Sequence, residues 1–188
     1  MKKFQFTETP LKGLYMIEQT IFEDERGYFM ETYHQKEFEE VGLNTLFVQD
    51  NQSKSKRGVL RGLHFQQKYP QDKLVRVLKG EVFDVAVDLR KDSGTFGQWF
   101  GYTLSEKNKK QIYISKGFAH GFLVLSDEAE FIYKCTEFYH PEDQCGIMWN
   151  DSGIDIHWPL DMVREILLSD KDKEWMSFSE YKIRNDKE

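Results

Sequence analysis

Two side chains suited to different chemistry share the run Gly58-Val59-Leu60-Arg61-Gly62-Leu63-His64-Phe65-Gln66. Arg61 is a permanent cation and a natural anion clamp, while His64 titrates near neutrality and can act as a base. Val59, Leu60, Leu63 and Phe65 give the run strand character. In strict alternation Arg61, Leu63 and Phe65 share one face, and Leu60, Gly62, His64 and Gln66 the other. If Arg61 and His64 serve one site, the alternation must break between them, and Gly62 is where a bulge costs least. An ordinary strand with a hydrogen-bonded core histidine and a surface arginine accounts for the same residue types.

Further polar residues interrupt apolar patterning along the chain: Arg26 and Glu31, Gln49, Asp50 and Asn51, Lys73, His120, Tyr133, Tyr139, Lys171 and Asp172. A metal centre needs three or more converging N or O ligands. Only His64 and His120 lie in strand-like contexts, and neither belongs to a His-x-His pair, so no metal is expected. A metal-free proton-transfer site accommodates the set better. A histidine serves as base when a carboxylate fixes its tautomer, a tyrosine can return a proton from the other side, and a lysine or arginine can stabilise an enolate. Those parts suit removal of a proton next to a carbonyl. Taken singly, each also has a plain explanation: Tyr133 as a core tyrosine, Asp172 as a cap, Lys73, Arg26, Glu31 and Lys171 as solvated charges, Phe22 and Tyr139 as packing, and Gln49 to Asn51 as turn residues.

The elements that would position these groups are mostly strands. Strand patterning covers 14–21, 28–33, 46–48, 97–104, 111–114, 121–125 and 129–138, with a charged turn between Phe22 and Gly27. Residues 74–78 and 82–89 read as two strands joined by a tight turn at Gly80. In the second, Phe83, Val85, Val87 and Leu89 form an apolar face, and Val82, Asp84, Ala86 and Asp88 a face carrying carboxylates. Helix is expected over 34–41, closed by Gly42, and again over 162–168 and 171–176, within a helical C-terminal segment of about 160–188. Gln49 to Gln52 reads as a polar run, and Lys54 to Arg57 and Lys107 to Lys110 as solvated turns. Many short strands with little helix predict a mainly β antiparallel sandwich or barrel.

The 188 residues form most simply one domain, 1–188, large enough to bury a core without staples. A net charge of −6 argues against nucleic acid as a partner. The start, Met1 to Gln5, lacks a secretion signal's apolar core and no run is long enough to span a bilayer, so a soluble cytoplasmic protein with no membrane partner is expected. Cys135 and Cys145 have neither disulfide nor zinc spacing and read as reduced and structural. No Gly-x-Gly-x-x-Gly, phosphate-binding glycine loop or Gly-x-Ser-x-Gly elbow is present, which turns the reading away from dinucleotide redox enzymes, NTPases and serine hydrolases.

Several motifs carry a resemblance: Asp24-Glu25-Arg26-Gly27-Tyr28-Phe29, Phe47-Val48-Gln49-Asp50-Asn51, the Gly58 to His64 run, Lys73-Leu74-Val75-Arg76-Val77, Phe83 to Arg90, Gly117-Phe118-Ala119-His120-Gly121-Phe122, Tyr133-Lys134, Trp149-Asn150-Asp151 and Leu168-Ser169-Asp170-Lys171-Asp172. In this order, over nearly the whole chain, they closely resemble the dTDP-4-dehydrorhamnose 3,5-epimerases. The resemblance implies a cupin-type jelly-roll (a double-stranded β-helix), a homodimer with N-terminal strands shared between subunits, no cofactor, and a dTDP-4-keto-6-deoxyhexose substrate. It assigns His64 as base, Asp172 as its orienting carboxylate, Tyr133 as proton donor, and Lys73 and Arg61 to the sugar carbonyl and diphosphate. His120 and Lys171 match further substrate contacts. Arg26, Glu31, Gln49, Asp50 and Asn51 match nucleotide-binding positions, the first two lent by the neighbouring subunit, and Phe22 and Tyr139 match aromatic faces for thymine. Gln144 stands where some relatives place a substrate-contacting glutamate, with Glu142 close by. A 3-epimerase or 3,4-ketoisomerase on the same scaffold, or a non-catalytic sugar-binding jelly-roll, are the alternatives.

Overall fold

A computed structural model describes residues 2–185. In chain order the strands are β1 Phe4–Glu8, β2 Leu14–Gln19, β3 Ile21–Asp24, β4 Gly27–Met30, β5 Gln49–Lys56, β6 Leu60–Gln66, β7 Lys73–Lys79, β8 Glu81–Asp88, β9 Trp99–Ser105, β10 Gln111–Ile114, β11 Phe118–Val124, β12 Glu128–Cys135 and β13 Gln144–Gly146. Helix α1 is Gln35–Glu39 and α2 is Phe178–Asn185. Six strands, in the order β1-β2-β10-β7-β12-β5, face five in the order β13-β6-β11-β8-β9, and β3 and β4 form a separate ribbon. This is the mainly β jelly-roll that the patterning and the resemblance predict.

Three apolar clusters hold the layers together. Met16, Val75, Val77, Val82, Leu104, Phe122 and Phe131 come from both sheets and fill the space between them. Phe38 of α1, fully buried, packs with Phe4, Ile17, Leu74 and Tyr113 on the outer face of the six-stranded sheet. Leu60, Leu63, Val85, Val87 and Leu123 on the outer face of the other sheet are covered by Ile147, Ile154, Trp158 and Phe178. Each sheet therefore buries apolar residues on both of its faces, and the apolar face expected on β8 packs outward while its carboxylate face points inward.

The structure corrects several expectations. The strand predicted over 46–48 is irregular, and the strand proper is β5, which takes in both the polar run and Lys54 to Lys56. Its alternation is real but polar on both faces: Gln49, Asn51, Ser53 and Ser55 turn inward while Asp50, Gln52, Lys54 and Lys56 are exposed. Strands β7 and β8 are joined at Gly80 as predicted, with φ +77° and Glu128 O only 2.1 Å from where a Cβ would stand. They do not pair, however; the chain crosses there from one sheet to the other.

No helix forms over 162–168. A 3₁₀ turn, Leu160–Met162, gives way to extended chain whose backbone bonds go to the neighbouring strand: Leu60 N donates to Leu167 O at 3.0 Å and Leu167 N to Gly58 O at 2.8 Å. Residues 171–176 hold a 3₁₀ turn, Lys171–Lys173, and the true C-terminal helix starts at Phe178. Apolar spacing in 163–168 fits a helix, but docking on the sheet satisfies the same side chains and the backbone as well. β1 and β13 carry no clear pattern in the sequence and appear only through their pairing.

Candidate active site

One end of the space between the sheets is not filled by apolar side chains. It holds a cavity of about 400 Å³ into which both sheets project polar groups. From the five-stranded sheet come Arg61 and His64 of β6 and His120 of β11; from the six-stranded sheet come Gln49 and Asn51 of β5, Lys73 of β7 and Tyr133 of β12. Tyr139 and Gln144 complete the lining. A second cavity of about 390 Å³ shares Arg61, His64 and Gln144 and adds Lys171 and Asp172.

Arg61 and His64 reach the same cavity because β6 does break its alternation. Leu60 and Leu63 are both fully buried in the outer cluster, so the residues between and after them both turn inward. The break falls at Gly62, where φ is +129° and the β6–β11 register shifts between His120 and Phe122. A Cβ at Gly62 would stand 2.5 Å from Gly121 Cα and 2.9 Å from His120 O, so no other residue fits there. The same pairing sets His120 directly opposite His64.

His64 Nε2 lies 2.5 Å from Asp172 Oδ1. Asp172 is 3% exposed and also accepts from Trp175 Nε1 at 3.1 Å and from the Ser169 hydroxyl at 2.7 Å. Burial pushes its carboxyl up, but the bonds from His64, Ser169 and Trp175 outweigh that and hold it at about 2. Asp172 is therefore an anion that only accepts. His64 must donate through Nε2, which leaves Nδ1 with a free lone pair, the form a general base needs.

The opposite wall carries the complementary group. Burial, above all, raises the Tyr133 phenol, with Cys135 and Tyr139 adding to the rise and Arg61 opposing it, so the hydroxyl stays protonated and able to donate. Burial likewise pushes the Lys73 ammonium down, partly offset by Cys135 and Asp84. Arg61 donates through Nε to Ser55 Oγ at 3.2 Å and makes no ion pair among the described residues, so its charge is available to an anion. Gln144 accepts from Tyr139 Oη at 2.9 Å and Lys171 Nζ at 3.4 Å, tying the rim of the two cavities together. Glu142 instead pairs with His140 at 3.2 Å.

Other predicted residues lie elsewhere on this chain. Asp50 points outward to Lys134 at 2.9 Å, since β5 alternates and its neighbours Gln49 and Asn51 face inward. Arg26, with its side chain 85% exposed and paired to Asp24, sits at the tip of the β3–β4 ribbon. Phe22 is exposed on the same ribbon, and Glu31 just beyond it pairs with Lys3. None of these four lines the cavity of its own chain.

Sequence reading missed Asp84, whose Oδ2 accepts from His120 Nε2 at 2.9 Å, although the inward carboxylate face of β8 was legible. It also missed Ser169 and Trp175, which hold Asp172, and Cys135, which lines the cavity beside Lys73. Nothing in the spacing of Trp175 or Cys135 signals a site. Among the described residues, no three His, Cys, Asp or Glu side chains converge as metal ligands, and no helix is long and apolar enough to cross a membrane.

Comparison with known proteins places this geometry in a family. Residues 8–180 match the sequence model of the family described as dTDP-4-dehydrorhamnose 3,5-epimerase. The chain is 56% identical over 180 residues to the dTDP-4-dehydrorhamnose 3,5-epimerase of Methanothermobacter thermautotrophicus, covering 96% of this chain and 97% of that one. Against the enzyme of the same name from Escherichia coli it is 52% identical, covering 92% and 93%. Among solved structures, the dTDP-6-deoxy-D-glucose-3,5-epimerase of Legionella pneumophila, in complex with dTDP-4-keto-L-rhamnose, superposes with a TM-score of 0.91 at 50% identity over 94% of this chain and 93% of that one. A 3′-monoepimerase from Streptomyces bikiniensis in complex with dTDP-quinovose superposes with a TM-score of 0.88 at 29% identity, covering 94% and 89%.

Proposed function

The chain belongs to the dTDP-4-dehydrorhamnose 3,5-epimerase family, and we propose that the residues gathered in its cavity carry out that family's reaction. The reaction inverts C3 and C5 of dTDP-4-dehydro-6-deoxy-D-glucose and gives dTDP-4-dehydro-L-rhamnose, an isomerisation within dTDP-L-rhamnose synthesis. The C4 carbonyl acidifies the hydrogens on both neighbouring carbons, because loss of either proton gives an enolate spread onto O4. His64 Nδ1 takes the proton and Asp172 stabilises the imidazolium that forms. Lys73 balances the charge on O4. Tyr133 delivers a proton to the opposite face of the ring, and the cycle repeats at the second carbon. No electrons leave the sugar, so the chemistry needs no redox partner.

The observation that carries this reading is that His64 and Tyr133 stand on facing walls of one cavity. His64 comes from one sheet and Tyr133 from the other, and both line it. Arg61 and Lys171 supply positive charge for the diphosphate, His120 a further sugar contact, and Gln49, Asn51 and Tyr139 a polar and aromatic rim for the nucleotide.

Arg26, Glu31 and Phe22 join the site in a homodimer, in which each chain's β3–β4 ribbon reaches the cavity of the other. The ribbon's exposed Phe22, Tyr28 and Phe29 favour such a contact, and Arg26 has no substrate to meet on its own chain. Asp50, facing away, acts by holding Lys134 rather than by touching the nucleotide. The reading places the enzyme in the cytoplasm, in keeping with the lack, among the described residues, of a helix long and apolar enough to cross a membrane.

The test is to mix the protein with dTDP-4-keto-6-deoxyglucose in heavy water and follow the proton spectrum. Deuterium enters at both C3 and C5 with inversion at both, and His64→Ala abolishes exchange and turnover alike. Exchange at C3 alone would make the protein a single-site epimerase, and undiminished exchange in the variant would remove His64 from the base role.

A further inference from the structure

One buried carboxylate beside the cavity has no task in the mechanism above. Asp84 lies on the inward face of β8, and its side chain is 0% exposed. Its Oδ2 accepts from His120 Nε2 at 2.9 Å, whereas its Oδ1 is buried and has no hydrogen-bond partner. A carboxylate oxygen left without a donor in the interior is costly unless positive charge stands near it. Lys73 is such a charge. It enters the same space from β7 of the facing sheet, is attracted electrostatically by Asp84, and makes no ion pair among the described residues.

We propose that Asp84 is a positioning residue for the epimerisation: one oxygen fixes His120 with its Nδ1 free for the substrate, and the other supplies the negative charge that keeps the buried Lys73 ammonium protonated. The proposal rests on the role given above to Lys73. Two histidine–carboxylate pairs then serve one cavity. His64 with Asp172 moves protons, and His120 with Asp84 belongs to the cationic end that receives the carbonyl oxygen.

The groups facing Lys73 are Asp84 and His120, Arg61 and His64 from the five-stranded sheet, and Tyr133 and Cys135 from β12 beside it. Burial pushes the Cys135 thiol up and the Tyr133 phenol up, so neither is an anion at neutral pH. Arg61 and any imidazolium oppose protonation of Lys73. Asp84 is thus the one carboxylate among the groups that act on it, against a desolvation that lowers the ammonium. Removing that carboxylate moves loss of the Lys73 proton to lower pH.

Two readouts test this. In Asp84→Asn, which keeps the shape, the alkaline limb of kcat/KM shifts to lower pH by about 1 unit or more, while affinity for dTDP, which lacks the keto sugar, is unchanged. A uniform loss with the limb unmoved would make Asp84 merely structural and overturn the proposal. Independently of turnover, carbon NMR of protein labelled at lysine Cε, with Lys73 assigned through Lys73→Arg, gives its titration midpoint directly. The midpoint falls in Asp84→Asn, and an unchanged midpoint overturns the proposal. Should that variant not fold, the wild-type titration decides: a Lys73 still protonated at neutral pH supports compensation by Asp84, and one already neutral there refutes it. Absence of C3 and C5 exchange by the wild-type protein would be a separate result, against the epimerase reading.

Discussion

Replacing Asp172 by asparagine probes the base through a residue that never touches the sugar. The Asp172 carboxyl stands at about 2 instead of the ordinary 3.8, despite burial that acts the other way. That net difference of about 1.8 units corresponds to roughly 2.4 kcal/mol at 1.36 kcal/mol per unit, and the bonds from His64, Ser169 and Trp175 supply it together after offsetting burial. With the share of those bonds held by His64 taken as the size of the net effect, loss of the charge weakens the imidazolium by about 2.4 kcal/mol, a rate loss of roughly 60-fold.

Which way the new amide turns decides whether more is lost. Trp175 Nε1 and His64 Nε2 both donate to the position of Oδ1, whereas Ser169 Oγ, beside Oδ2, can also accept. The amide nitrogen accordingly goes to the Ser169 side, the oxygen keeps facing His64, and the reactive tautomer survives. Asp172→Asn is expected to slow exchange and turnover together by about 10- to 60-fold, well short of the roughly 10⁴-fold that a wrong tautomer costs in the serine-protease triad. Deuterium incorporation at C3 and C5, with kcat at saturating substrate, measures both. A loss as complete as that of His64→Ala would refute the inferred amide orientation, and a loss under threefold would refute coupling between Asp172 and the base.

Three further outcomes follow from the same geometry. Tyr133→Phe removes a proton donor that faces the base across the cavity, so inversion should fall by about 10²–10⁴-fold while exchange falls less; equal losses in the two readouts count against a pure donor role. Arg26→Ala should weaken dTDP binding measured by calorimetry, and mixing Arg26→Ala with His64→Ala subunits should restore activity, because a mixed dimer contains one site with neither change; no recovery after subunit exchange contradicts a shared site. Asp88, fully buried, is pushed up by burial but held at about 2 by Arg90, Ser93 and Thr95. Its folded value lies below the unfolded one, so its contribution of about 2 kcal/mol is present above pH 4 and fades as pH falls toward 2. Denaturant midpoints of wild type and Asp88→Asn should accordingly converge over that window, and a constant gap from neutral pH to pH 2.5 would sink the assignment.

The parts of the fold that were legible in the sequence are those where one rule acts alone. β8 and β10 alternate or run apolar because both their faces are buried, and their limits were read to within a residue or left unchanged. β5 failed as a strand because its inward face lines a polar cavity, so Gln49, Asn51 and Ser53 replace the apolar residues that mark a strand elsewhere. The 162–168 stretch failed for the reverse reason, an apolar spacing whose partner is a neighbouring strand and not its own next turn. Arg61 and His64 were legible as a conflict with alternation, and Gly62 as its only cheap resolution. Asp84 was visible on the inward face of β8, yet its pairing with His120 depends on β8–β11 register, where Ala86 and not Asp84 stands opposite His120.

The C-terminal segment shows why the His64–Asp172 pair and the core are built by the same contacts. Leu60 and Leu63, on either side of Arg61, anchor the outer cluster; Leu60 N donates to Leu167 O, and Leu63 exchanges backbone hydrogen bonds with Ile147. Those contacts pin the segment beside His64, and the stretch between Leu167 and Met176, which bridges to Ile147, passes the imidazole. Ser169, Asp172 and Trp175 lie within that span, and the edge of Trp175 meets the His64 ring at 5.7 Å between centroids. The orientation of the His64 ring is thus a product of burying the outer face of the five-stranded sheet. Loosening that face, for example by Ile147→Ala at a cost of about 2–5 kcal/mol, should therefore lower kcat before it unfolds the sheets. A variant that loses stability by that amount yet keeps full kcat at low temperature would show that Asp172 is held in place by something other than this packing.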